Sequence, residues 1–130
     1  EIVLLEAAVR QARAKGLTGD GPFRYSPVTG WLIRSLEPPP RFRTRAPRIY
    51  LPPPGQPMLK IRGDFIRIHD RLIDIAGLAE GLRLTRVKVP APFIPWLKFS
   101  FTQRMRLIAA HDRRHLWQAW QVPSTPGFPT

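Results

Sequence analysis

His111 and His115 stand four residues apart in the run S-F-T-Q-R-M-R-L-I-A-A-H-D-R-R-H-L-W-Q-A-W-Q, Ser100 to Gln121. Residues four apart share one face of an α-helix. Two imidazoles stacked in this way can each aim a ring nitrogen at one point beside the helix and hold a divalent cation there. The same spacing also describes two unrelated histidines, one edging the core and one in water. Asp112 falls on the apolar side and needs a partner. It either orients a ligand histidine or pairs with a core-edge cation such as Arg104. Gln118, one turn on, meets a substrate or solvent. The run departs from the zincin pattern H-E-x-x-H, because Asp is one methylene short for the base and no His or Glu follows His115.

A helix must present these groups, and its limits are written in the chain. Ser100 followed by Gln103 forms a capping-box pattern. Pro123 removes a backbone donor, and Val122 before it is biased away from helix. The spacing predicts a helix of about 21 residues, roughly 31 Å long. Phe101, Met105, Ile108 and Ala119 fall on one line, with Leu97 close by, and Gln103, Arg106, Arg113 and Arg114 lie opposite.

Further back, Met58 to about Glu80 carries Ile61, Phe65, Ile68, Leu72 and Ala76 on one face. Gly63 weakens its first turn, and Gly81 suits its end. His69 sits about 40° from that apolar line. It either substitutes as a metal ligand or bonds at the core edge to a backbone or carboxylate group. Glu1 to Lys15 reads as a helix with Ile2, Leu5, Val9 and Ala12 inward, acids early, bases late, and Gly16 as its stop. It has no visible N-terminal cap.

Gly16 to Pro57 holds more than half of the 16 prolines and is too long for an ordinary helix–helix loop. Within it Ser26-Pro27 opens a short capped helix through Trp31, Leu32, Ile33 and Leu36, ended by Pro38, Pro39 and Pro40. Arg41 to Tyr50 reads as extended, anchored by Phe42 and Ile49. Pro52 to Pro54 form a stiff polyproline stretch, a spacer or a PxxP-type ligand. Leu82 to Phe99 is a connector in which Leu82, Leu84, Val87 and Val89 anchor an extended run. Phe93 and Trp96 are expected to plug the end of the helices.

H-D-R-R-H-L-W-Q, entered through a capped helix after a Pro-rich approach, resembles the last helix of the DinB-like family. R-A-P-R-I-Y-L-P resembles that family's link before its third helix. F-I-R-I-H-D-R-L-I-D-I-A-G-L-A-E-G-L-R-L-T-R-V-K-V-P resembles that helix and the approach that follows. The likeness spans about residues 40 to 122. It implies an all-α fold, a four-helix bundle lacking its first helix, with a long Pro-rich irregular segment between helices. Residues 1–122 form the single domain and 123–130 a flexible tail. It implies a divalent metal ion, Zn or Ni, on His111 and His115. E-I-V-L-L-E-A-A-V resembles the run just after the family's first metal histidine, so the third ligand and the first helix fall upstream of Glu1. The implied activity is that of a metal-dependent transferase using a low-molecular-weight thiol, or a hydrolase. The implied partners are a small-molecule substrate and a second copy in a homodimer.

Composition sets the competing reading. The chain has 130 residues and a net charge of +12, with Arg supplying most of the 21 cations. One domain and one core fit this length. With no Cys there are no disulfides and no thiolate ligands. No apolar run is long enough to span a membrane, and a cytoplasmic location is expected. The basic balance suits a non-catalytic interaction module, with Arg41, Arg43, Arg45 and Arg48 meeting phosphates and Phe42 and Tyr50 stacking on bases. The cations form no single long run, so nucleic acid is not the first expectation, and Arg also suits small carboxylates.

Overall fold

The structure is a computed structural model and describes residues 1–19, 25–40, 45, 51, 53–91 and 96–128. Among them the chain is mostly helical. It forms α1 (Ile2–Ala14), α2 (Pro27–Leu36), α3 (Met58–Leu78) and α4 (Phe101–Gln121), with β1 (Lys88–Pro90) and β2 (Lys98–Ser100) between the last two helices. The helices are the expected ones, to within two residues at each end. The small antiparallel sheet is an addition to the all-α expectation. Its register pairs Lys88 with Ser100, Val89 with Phe99 and Pro90 with Lys98. The anchoring residues Leu84, Val87 and Val89 are buried, and pairing β1 with β2 satisfies backbone groups that an unpaired extended connector would leave buried and unbonded.

α1 ends as its glycine requires. Gly16 adopts φ +59, and the Leu17 N–H then reaches back to the Ala12 carbonyl at 2.9 Å. Past the turn, Arg83 N–H donates to the Leu17 carbonyl at 2.8 Å and Gly19 N–H to the Gly81 carbonyl at 3.1 Å. The ends of α1 and α3 are thereby stitched together, with Arg13 Nη2 adding a bond to the Leu78 carbonyl at 3.0 Å.

Two N-caps are wired to each other. Ser26 Oγ accepts from Thr29 N–H at 3.2 Å and caps α2. Ser100 Oγ accepts from Gln103 N–H at 3.3 Å, while Gln103 Oε1 accepts from Ser100 N–H at 2.8 Å, completing the capping box on α4. The Gln103 amide then donates to Thr29 Oγ1 at 3.2 Å. Thr29 and Ser100 are both buried, so these bonds satisfy polar groups that water does not reach.

α4 runs between two apolar clusters. One gathers Leu5, Ala8, Val9 and Ala12 of α1 with Ile75, Leu84, Val87, Val89 and Phe101, and Met105 and Ile108 pack against it. The other joins Ile33 of α2 to Ala91, Phe99, Leu107 and Ala110. The periodicity of α4 pointed only to the first face. The second is covered because α2 lies across it, and Arg113, expected in solvent, makes a two-bond ion pair with Glu37 at the end of α2.

Three packing expectations are corrected. On α3 only Ile75 is buried, whereas Ile61, Phe65 and Ile68 stay between 43% and 46% exposed because no described element covers the first half of that helix. Ala119 is exposed, as no residue of α4 beyond Ala110 is buried. Trp96 is 81% exposed and plugs nothing. α3 runs without a break through Gly63, so the expected irregular first turn does not occur. Phe93, most of Arg41 to Tyr50, and Pro52 lie outside the described residues.

Candidate metal centre

The histidine pair is brought together as its spacing requires. His111 Nε2 and His115 Nε2 lie 3.2 Å apart, with the rings edge to face at 79°. His115 Nδ1 lies 3.0 Å from Gln118 Oε1. An amide oxygen only accepts, so Nδ1 of His115 carries the proton and its Nε2 accepts from His111 Nε2–H, a proton that a metal ion would displace. Gln118, read as a substrate contact or a solvated residue, thus orients a candidate ligand.

His111 has its pKa lowered from 6.5. Desolvation is the largest cause, followed by the neighbouring His115 ring, and Asp112 and Glu1 oppose them only in part. The side chain is exposed on one side and lines a small cavity with Glu1, Ile2 and Ile108 on the other, where partial desolvation disfavours the imidazolium. The neutral ring is the form that binds metal.

His69 lies beside the pair but not in it. Its Nδ1 donates to the Phe65 carbonyl one turn back at 2.8 Å, and its ring rests on the Phe65 ring at 3.9 Å. Its Nε2 meets Asp112 Oδ2 at 3.1 Å. Of the two readings of His69, the structure displays the backbone-and-carboxylate one. Asp112 is likewise bonded to His69. Arg104, its other expected partner, instead places Nε 2.5 Å from Glu1 Oε1. That N–H is not aimed at the oxygen, so Arg104 Nε is buried without a hydrogen bond.

These groups share a cavity of about 200 Å³ between the start of α1, the middle of α3 and α4, lined by Glu1, His69, His111 and Asp112 over Ile108 and Leu72. Neither His69–Asp112 nor Glu1–Arg104 was legible as a pair. The available signal was one polar residue on the apolar flank of each long helix, His69 and Asp112, each needing a partner.

The spacing of the two nitrogens is that of an imidazole–imidazole hydrogen bond and is also close to that of two ligands on one tetrahedral ion. Two imidazole nitrogens bound to one zinc ion at about 2.0–2.1 Å lie roughly 3.3–3.4 Å apart. The Nε2 separation here is 3.2 Å. Among the described residues no group of three or more His, Cys, Asp or Glu side chains gathers round one point. No described helix is long and apolar enough to cross a membrane. The chain matches no protein-family model, no curated protein and no solved structure.

Proposed function

We propose that this chain belongs to a DinB-like, divalent-metal-dependent enzyme, of the thiol-using transferase or hydrolase type, with His111 and His115 as ligands to Zn or Ni. The observation that carries the reading is the convergence of the two Nε2 atoms at 3.2 Å, with His115 held in the metal-binding tautomer by Gln118. Partial desolvation lowers the His111 pKa and so favours the neutral ring that a ligand needs.

The resemblance sets the family's first metal histidine just before the run that starts at Glu1. Glu1 and His111 line the same cavity, so a residue preceding Glu1 would start on the His111 side of the pair. That placement supports a third ligand from upstream. A bound ion with an open position would supply a Lewis acid that lowers the pKa of a thiol or water. The chain's own residues orient the ligands: Gln118 holds His115, and Ile108 and Leu72 line the cavity on one side of His111.

Calorimetric titration with Zn and Ni tests the reading. One ion per chain is expected, with binding lost in His115→Ala and in His111→Ala. Gln118→Ala should weaken affinity about tenfold without abolishing it. The same titrations on a form extended upstream of Glu1 should show tighter binding. Binding that survives His115→Ala would refute the assignment.

A further inference from the structure

A second cavity has no part in the histidine site. It encloses about 610 Å³ beside the first turns of α4 and the end of α3. Its floor is rigid, because Leu84 and Phe101 are 2% and 3% exposed and belong to the main core. Its walls include Ala76 and Ala79, whose short side chains leave the space open, and Met105, whose thioether adapts to irregular shapes. The volume lies within the range of small-molecule pockets, which are mostly apolar with a few polar groups that fix orientation.

The polar groups here are few and carry charge. Arg106 and Glu80 both line the cavity, and among the described residues neither makes an ion pair. They differ in how firmly they are held. The Arg106 guanidinium lies 5.0 Å from the centre of the Tyr25 ring, and Tyr25 is itself a lining residue. Stacking restrains the guanidinium and leaves its in-plane N–H groups free, the geometry that clamps a carboxylate. No such contact holds Glu80. The net charge of +12 adds a long-range field that favours anions over cations at the mouth.

We propose that this cavity binds a small amphipathic carboxylate, its apolar body against Leu84, Phe101 and Met105 and its carboxylate on Arg106. The site is independent of the metal reading and stands or falls without it.

The chain has two methionines, which gives the test an internal reference. Met105 lines the cavity, while Met58 is 75% exposed at the start of α3. With 13C-methyl methionine, titration with octanoate should move the Met105 signal and leave Met58 in place. Octanol and octylammonium, matched in chain length, should bind the unmodified protein about tenfold or more weaker, since each lacks the charge-assisted contact. Arg106→Gln should weaken octanoate by a similar factor and leave octanol unchanged. A Met105 signal unmoved by octanoate at millimolar concentration overturns the site. Octanol binding as tightly as octanoate overturns the carboxylate, and tighter octylammonium binding assigns the mouth to Glu80. The three probes on the unmodified chain give this answer even where Arg106→Gln fails to fold.

Discussion

His69 of α3 and Asp112 of α4 meet at 3.1 Å across a separation of 43 residues. His69 Nδ1 already donates to the Phe65 carbonyl, so the ring is fixed before it reaches the carboxylate. The bond therefore ties the middle of α3, where no apolar residue is buried, to the helix that carries the histidine pair.

A double-mutant cycle with His69→Gln and Asp112→Asn measures this tie. Both side chains are about a third exposed, so the coupling should be about 1 kcal/mol by urea unfolding, below that of a fully buried charged hydrogen bond. Because Asp112 bonds His69 and neither His111 nor His115, Asp112→Asn should shift metal affinity less than the roughly tenfold expected for loss of an orienting partner. Coupling near zero would reduce the pair to two solvated groups.

Glu37 and Arg113 give a second link, with pH as its handle. The two hydrogen bonds from Arg113 hold the Glu37 carboxyl below its ordinary 4.5. A carboxyl depressed in the folded state binds fewer protons there than when unfolded. It contributes stability above pH 4.5, and that contribution fades as pH falls through the depressed folded value. Both side chains are more than a third exposed or close to it, so Glu37→Gln should cost only about 0.5–1 kcal/mol at pH 7. The difference between the two proteins in urea midpoint should narrow in acid. A cost independent of pH would mean that shape, not charge, matters at Glu37.

His111 has the opposite chemistry with the same sign. Its pKa is lowered from 6.5 by burial first and by His115 second. The unfolded chain takes up the proton at higher pH than the folded one. Stability is therefore full above pH 6.5 and declines as pH falls toward the depressed folded value. NMR titration of the ring C–H signals should place the His111 midpoint below 6.5. In His115→Ala the midpoint should rise, because one opposing charge is gone, yet stay below 6.5 since desolvation remains. A midpoint above 6.5 in the parent protein would remove the argument that His111 is kept neutral for a ligand role.

The sequence made the local features legible and the tertiary ones only in part. Ser100 with Gln103, Ser26 with Pro27, and Gly16 each set a helix limit by chemistry within four residues, and each is seen where expected. The meeting of His111 and His115 is also local, fixed by one helical turn. What escaped was set by partners distant in the chain. Periodicity marks a face as apolar but does not say what covers it. α2 covers the supposedly polar side of α4 through Ile33, while the supposed core line of α3 at Ile61, Phe65 and Ile68 has no cover. The pairing of Asp112 with His69 depends on the relative placement of two helices, for which spacing within either one carries no signal.

Among the described residues α3 has one buried side chain, Ile75. Ile75 is 1% exposed and packs with Leu5, Ala8 and Val9, whereas Ile73 on the same helix is 69% exposed. Ile75→Ala removes buried methyl groups and leaves a hole that rigid neighbours close only in part, so it should cost about 2–5 kcal/mol. Ile73→Ala removes little burial and exchanges a β-branched residue for the best helix former, so its effect should stay within about 0.5 kcal/mol. Urea unfolding of the two variants, followed by far-UV circular dichroism, separates these outcomes. Equal costs would mean that α3 packs on a different face from the one that Ile75 defines.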